Sequence, residues 1–188
     1  MSKQLQKPFP ALYPVPLVLV TCVDEQEKPN IATLAWVGTA AAKPPQAVLA
    51  IRPSRYSHAV ISQTGEFAIN IATEDLLPVV DQCGHVSGAR TDKFALTGLT
   101  PEPASQIRAP LIAECPVNLE CKLTQTIPLG SHDLFIGEIV AVHVDEKLLD
   151  ENGFMDYSKA KAVVYVGNEY WNLGKCLKTS GFTLKKSS

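Results

Sequence analysis

The sequence predicts a mainly β protein, built as an antiparallel barrel with a few short helices. About seven segments of strand length follow one another, separated by turns rich in Pro, Gly and Asp. Within the strand expected at 117–127, residues 117–124 alternate apolar and polar side chains, and residues 134–144 return after a short loop, which is typical of a hairpin. A doubly wound parallel fold would need long helices between its strands, and the sequence has none of that pattern.

The first strand is expected over residues 15–23, an apolar run that ends in a polar turn at 24–29. The second is expected over 30–39, and Lys43-Pro44-Pro45 ends it because proline cannot extend a hydrogen-bonded ladder. Further strands are expected over 46–52, 66–72, 117–127, 134–144 and 162–166.

Three helices are predicted. The first covers 56–63, is closed by Thr64-Gly65, and can be capped by Ser54 or Ser57. The second lies within 73–84, where Pro78 requires a late start or a kink. The third is capped by Thr91 and ends at Gly98.

Length and composition favour one domain over residues 1–188, with a Pro-rich extended arm at 1–14 and a basic, frayed tail at 178–188. A formal charge of −2 gives no sign of nucleic-acid or membrane-surface binding. No apolar run reaches about 18 residues, and the first residues lack the apolar region of a signal peptide, so we expect a cytoplasmic protein. The cysteines are odd in number and form no C-x-x-C pair, which favours reduced structural thiols.

One stretch, residues 29–61, combines features that suit flavin mononucleotide (FMN). Arg52, Ser54, Arg55 and Ser57 precede or begin a predicted helix, where donors and the helix dipole favour a phosphate. Upstream, the small residues of 33–38 would let a flat ring lie close to the backbone. On these residues alone, a solvated loop and an ordinary core strand remain open alternatives.

Several motifs in this order resemble the flavin reductase-like family, and within it the flavoredoxin-type branch. They are Pro14-Val15-Pro16, Pro29-Asn30-x-x-Thr33-x-x-Trp36, Pro44-Pro45, Arg52-x-Ser54-Arg55-Tyr56, Glu66-Phe67-x-x-Asn70, Gly84-x-x-Ser87-Gly88, Asp92-Lys93-Phe94, Leu119-Glu120-Cys121-Lys122, Leu129-Gly130-Ser131-His132 and Phe135-Ile136-Gly137-Glu138. The resemblance covers roughly residues 10–170. It implies an FMN-binding split barrel, a homodimer and electron transfer through FMN.

The resemblance also implies cofactor contacts at particular positions. They are Asn30, Thr33, Leu34, Ala35, Trp36, Arg52, Ser54, Arg55, Tyr56 and Ser57, with Lys93 at the phosphate. His132, in the predicted hairpin loop, is the candidate catalytic residue, with an exposed turn histidine as the alternative. His58 is expected at the surface, His143 is expected to be structural, and His85 is a weak candidate for the pocket wall.

Three functions remain open at this point. The first is a reductase that accepts electrons from NAD(P)H or a protein donor and passes them to free flavin or another acceptor. The second is an FMN electron carrier without NAD(P)H activity, since no G-x-G-x-x-G or P-loop motif is present. The third is a barrel that binds another ligand, or an interaction module, because pyridoxamine-phosphate-oxidase-like and haem-utilisation proteins share this barrel type.

Overall fold

A seven-stranded antiparallel sheet dominates the computed structural model, which describes residues 2–184. In chain order the strands are β1 (Val15–Pro16), β2 (Val18–Val23), β3 (Pro29–Leu34), β4 (Val37–Ala42), β5 (Pro45–Ile51), β6 (Glu66–Ile71), β7 (Pro101–Glu102), β8 (Leu111–Ile112), β9 (Val117–Pro128), β10 (Asp133–Val144), β11 (Val163–Val166) and β12 (Glu169–Asn172). The helices are α1 (Tyr56–Thr64), α2 (Leu77–His85) and α3 (Lys93–Thr97).

The main sheet closes on itself as a split barrel. Its order is β3-β2-β6-β9-β10-β5-β4, so its two edge strands are consecutive in the chain. Three peptide steps join Leu34 to Val37 and span at most about 11 Å, so the two edges must curl toward each other. Within residues 2–184 no ladder joins β3 to β4, and the barrel is therefore split at this seam.

This seam corrects the prediction of one strand over 30–39. The chain leaves β3 at Leu34, bends at Ala35 and Trp36, and enters β4 at the opposite edge. The carbonyl oxygen of Trp36 accepts a 2.9 Å hydrogen bond from the Ala50 amide, which fixes the bend against β5. Residues 30–39 have the composition of one continuous strand, so local propensity does not predict the bend. Closure of the barrel imposes it.

The core has two parts on either side of β2. Val18, Val20 and Cys22 point into the barrel, with Phe67 and Phe135 among its largest buried side chains. Leu19 of β2 points to the other side and belongs to a second cluster with residues of β3, α2 and α3, which includes Leu17, Ile31, Val80 and Phe94. Burial on both faces explains why the first strand reads as a continuous apolar run.

The helices begin close to the predicted positions, and the cap of α3 differs from the prediction. A 3₁₀ turn at Glu74–Leu76 precedes α2, and Pro78 lies in its first turn, which is the late start that proline requires. Asp92, and not Thr91, caps α3: its carboxylate accepts a 3.1 Å hydrogen bond from the Ala95 amide. Aspartate is at least as good a cap as threonine and lies one residue nearer the helix.

Within residues 2–184 the last strand is β12, not the strand predicted at 162–166. β12 pairs with β11, which also pairs with β1 in a three-stranded sheet. In the N-terminal arm, residues 2–14 contain no helix or strand. Residues 185–188 of the predicted frayed tail lie outside the described residues. No helix of the described chain is long and apolar enough to cross a membrane.

A buried carboxylate ties the irregular segment between β7 and β8 to the sheet. Glu120, on β9, accepts hydrogen bonds from the Ser105 amide (2.7 Å) and hydroxyl, from the Gln106 amide (2.6 Å) and from His143 (2.6 Å). Burial alone would raise the pKa of Glu120, but these hydrogen bonds outweigh it and lower the pKa to about 2. His143 is thus structural, as predicted.

Candidate functional site

A cavity of about 250 Å³ opens at the start of α1, between β3 and the segment that joins α2 to α3. Its wall is built from four separate parts of the chain. The lining residues are Asn30, Ala32, Thr33, Leu34, Ser54, Arg55, Tyr56, Ser57, Cys83, Gly84, Val86, Ser87, Gly88 and Lys93.

The N-terminus of α1 forms one end of this cavity, and no side chain among residues 2–184 caps it. Arg55 occupies the N-cap position with extended backbone angles, and the first turn holds no acidic residue. The prediction that Ser54 or Ser57 caps the helix is therefore wrong. Both serines line the cavity instead, where their hydroxyls, the free helix amides and the helix dipole favour an anion.

Positive side chains without acidic partners lie around the same cavity. Within the described chain, no carboxylate lies within 4.0 Å of Arg55 or Lys93, which line this cavity, or of Arg52, which lies just before α1. Lys93 is buried, and its Nζ donates a 2.7 Å hydrogen bond to the Cys83 carbonyl oxygen. Burial lowers the pKa of Lys93, and the positive charge of Arg55 lowers it further. A bound anion would offset the cost of this unpaired charge.

Asn30 brings an unused acceptor to the cavity wall. The residue is buried, and its Nδ2 contacts the Cys22 sulfur at 3.8 Å. Its Oδ1 has no hydrogen-bond partner among residues 2–184. The backbone of Gly88 packs directly against this amide, since a Cβ built on Gly88 would lie 2.6 Å from the Asn30 Cγ. The Asn30 Oδ1 is thus held in place and lacks a donor.

Two other hydroxyls of the wall already have protein partners. Thr33 donates a 2.6 Å hydrogen bond to the Val80 carbonyl oxygen, which joins β3 to α2. Tyr56 donates a 3.0 Å hydrogen bond to Asp24, in the turn before β3. Burial and the hydrogen bond to Asp24 raise the pKa of Tyr56, so it remains protonated. Both residues line the cavity, but their hydroxyl groups already donate hydrogen bonds to protein acceptors.

A second, smaller cavity of about 160 Å³ continues from the first along β3. It is lined by Thr33, Leu34, Ala35, Trp36, Ala50, Ile51, Arg52, Arg55 and His132. The Trp36 and His132 rings lie with their centroids 4.6 Å apart at an angle of 39°. Burial lowers the pKa of His132, and the positive charge of Arg52 lowers it further.

The structure brings every predicted site residue to the wall of one of these cavities, and both walls share Thr33, Leu34 and Arg55. Contact of these residues with a cofactor stays a prediction. Five wall residues were not predicted, although the Gly84-x-x-Ser87-Gly88 motif was a signal for them: Cys83, Gly84, Val86, Ser87 and Gly88. His85, in contrast, is exposed and contacts Asp81.

His58 also differs from expectation, since its side chain is largely buried and not at the surface. Its Nε2 lies 2.8 Å from Asp133 Oδ2. All five cysteines are free: Cys22, Cys83, Cys115 and Cys121 are buried, and Cys176 is exposed. No group of three or more metal-ligating side chains occurs in the described residues.

The fold and these joined cavities define a class of protein: a split barrel with a cation-lined pocket at an uncapped helix N-terminus. The model of the flavin reductase like domain matches residues 11–174, and the chain belongs to this family. The resemblance stated from the sequence motifs is thereby confirmed.

Relatives support the assignment across nearly the whole chain. The structure of flavoredoxin of Desulfovibrio vulgaris superposes with a TM-score of 0.91 and 36% identity, covering 98% of this chain and all of that one (100%). A protein of Archaeoglobus fulgidus is 36% identical over 146 residues, which are 78% of this chain and 81% of that protein. An FMN-binding protein from Thermus thermophilus has a TM-score of 0.76 and 26% identity, covering 92% and 95% of the two chains.

Proposed function

We propose that this protein binds FMN in the joined cavities and carries electrons from NAD(P)H or a redox protein, through FMN, to free flavin or another acceptor. The observation that carries the proposal is the meeting of Arg55 and Lys93, both without acidic partners in the described chain, at the uncapped start of α1. Such an arrangement suits a phosphate with close to two negative charges. The flavoredoxin and FMN-binding relatives support the same ligand class.

The residues at the start of α1 would hold the phosphate. Arg55 offers several N–H donors in a fixed plane, and Ser54 and Ser57 offer hydroxyls beside the free helix amides. Lys93 supplies a buried positive charge. Each charge-assisted hydrogen bond is worth about 1.5–3 kcal/mol, so a few of them supply much of a micromolar affinity.

Asn30 would hold the sugar-like chain of FMN, because its free Oδ1 needs a donor that phosphate cannot supply. A ribityl hydroxyl is such a donor. The fit is specific, since the Gly88 backbone leaves the Asn30 side chain little freedom to turn away. The same contact would relieve a buried unsatisfied acceptor, whose cost is about 1–3 kcal/mol.

The second cavity would hold the ring. Ala35 and Leu34 offer small or apolar walls, and Trp36 and His132 form an aromatic pair at its edge. The lowered pKa keeps His132 neutral at neutral pH, so its ring nitrogens can donate or accept without adding charge. Arg52 provides the fixed positive charge at this end. Bound FMN would supply hydride acceptance and one- or two-electron transfer, and these residues would orient it and tune its environment.

A homodimer is part of the proposal. Large apolar side chains are exposed in the N-terminal arm and near the C-terminus, including Leu12 (86% exposed) and Trp171 (54% exposed). Apolar and aromatic side chains left in water are characteristic of surfaces that bind another chain. Light scattering at micromolar concentration tests this point, and a monomer at all concentrations contradicts it.

A visible spectrum of the freshly purified protein tests the main proposal. A yellow protein that releases FMN on denaturation supports it, and anaerobic bleaching by NADH or NADPH identifies a reductase. A yellow protein that neither nucleotide bleaches is an FMN carrier supplied by a protein donor. A colourless protein that does not bind added FMN refutes the proposal.

A further inference from the structure

A histidine outside both cavities connects their two ends. His58 lies in the first turn of α1, and its amide donates a 3.0 Å hydrogen bond to the carbonyl oxygen of Arg55, a residue that lines both cavities. Its side chain reaches across to β10, where Nε2 lies 2.8 Å from Asp133 Oδ2. The link joins residues 75 positions apart in sequence.

The His58–Asp133 link is well fixed. The two side chains are only 16% and 17% exposed, so water competes weakly for the hydrogen bond. The His58 ring also packs edge-on against the buried Phe135 ring, with centroids 4.9 Å apart at 88°. A hydrogen bond on one side and an aromatic contact on the other define a single orientation of the imidazole.

Asp133 lies at the base of the loop that carries His132. It is the first residue of β10 and is paired with Ile51 on one side and Pro128 on the other. The loop closes through a 2.9 Å hydrogen bond from the Leu129 amide to the His132 carbonyl oxygen. Fixing Asp133 therefore fixes the point from which His132 extends toward the second cavity.

We propose that His58 is a positioning residue: by holding Asp133, it sets the place of His132 against Trp36 and joins the ring end of the site to the start of α1. The inference rests on the proposed function insofar as the second cavity is the flavin-ring end. His58 itself lines neither cavity, so its effect on a ligand is indirect.

Riboflavin, which lacks the phosphate, is the probe for the ring end. The variant His58→Phe keeps a ring beside Phe135 but removes the donor to Asp133. We expect it to weaken riboflavin binding about three- to tenfold, because part of the binding free energy would then be spent on ordering His132. His58→Gln retains a side-chain N–H donor and should restore binding to within about twofold. His85→Phe, at an exposed histidine of α2, is the matched control and should change nothing.

A double-mutant cycle separates positioning from a general effect on stability. In a His132→Ala background, His58→Phe should have no further effect on riboflavin affinity, since the residue that it positions is gone. An equal loss in both backgrounds overturns the proposal, as does unchanged riboflavin affinity in His58→Phe alone. If His58→Phe does not fold, Asp133→Ala removes the same hydrogen bond from the other side and replaces it in the cycle.

Hydrogen exchange at the Leu129 amide tests the positioning without any flavin. This amide should exchange about tenfold faster in His58→Phe than in wild type or His58→Gln, because the loop has lost its anchor. Unchanged exchange overturns the proposal. A wild-type protein that binds neither FMN nor riboflavin refutes the proposed function, and the exchange measurement still decides whether His58 positions the loop.

Discussion

The variant Gly88→Ala tests the structure of the cavity wall most directly. A Cβ at this position would lie 2.6 Å from the Asn30 Cγ and 3.0 Å from the Tyr56 Cδ1, and it would approach the Asn30 Oδ1 more closely still. Real Cβ atoms do not tolerate such distances, so the Asn30 amide must move or the turn at Gly88 must shift. Gly88 is not among the glycines with a positive φ, so the argument for glycine at this position is one of space.

The expected cost follows from this overlap. Forcing one extra methyl group into a packed site costs about 1–3 kcal/mol. In a protein of this length, each kcal/mol shifts the melting temperature by about 2–4 °C, so Gly88→Ala should melt about 2–12 °C below wild type. Displacing Asn30 also removes one hydrogen bond to the proposed ligand, which should weaken FMN binding about fivefold or more.

Gly84→Ala is the matched control, since Gly84 lines the same cavity. Its new Cβ would lie 3.5 Å from the Thr33 Cβ, an ordinary contact, and the position is helical. Alanine is favoured over glycine in a helix by up to about 1 kcal/mol, so this variant should be as stable as wild type or slightly more stable. Thermal denaturation measures the melting temperatures of both variants, and FMN titration measures their affinities. A Gly88→Ala protein with wild-type stability and affinity would refute the packing of Gly88 against Asn30.

Three further predictions address charge, pH and thiol chemistry. Arg55→Ala should weaken FMN binding about tenfold or more and leave riboflavin binding nearly unchanged, with Arg108→Ala, at an arginine paired with Glu66, as the control; equal losses for both ligands exclude a phosphate contact. The lowered pKa of Glu120 contributes stability above its ordinary pKa of 4.5, and this stability is lost as the pH falls toward about 2. The free energy of unfolding of Glu120→Gln, measured by urea denaturation, should therefore depend less on pH in that window than that of wild type. Parallel pH profiles of the two proteins contradict the assignment. A disulfide reagent should modify Cys176 rapidly in the native protein and the four buried thiols only after unfolding, since burial raises their pKa values; rapid reaction of a second thiol contradicts their burial.

The fold was predictable where local chemistry decides it. The alternation of residues 117–124 predicted the first strand of the β9–β10 hairpin, and Pro78 predicted the late start of α2. The break at Ala35 and Trp36 could not be read locally, because it exists to connect opposite edges of the sheet. β12 was missed for a similar reason: its four residues are all exposed, and only pairing with β11 makes them a strand.

The site divides in the same way. Residues close together in sequence, such as Thr33 to Trp36 and Arg52 to Ser57, were predicted as a group, and the motif order placed Lys93 and His132 with them. The unpaired state of the Asn30 Oδ1 and the bond from His58 to Asp133 depend on contacts between distant segments. Composition and spacing contain no record of such contacts, so a surface position for His58 was the reasonable expectation and was wrong.

Two buried groups of the cavity wall lack a partner among the described residues, the charge of Lys93 and the Asn30 Oδ1, and together they restrict the ligand more than either does alone. The buried ammonium group of Lys93 calls for an anion, although the chain as a whole has a formal charge of −2. The buried Asn30 Oδ1 calls for a donor, which a phosphate dianion or a carboxylate cannot provide. A ligand that satisfies both must combine a negative group with a hydroxyl or amide donor a short distance away, as the phosphorylated ribityl chain of FMN does. A simple anion would leave Asn30 unsatisfied, and a neutral polyol would leave the charge of Lys93 unpaired.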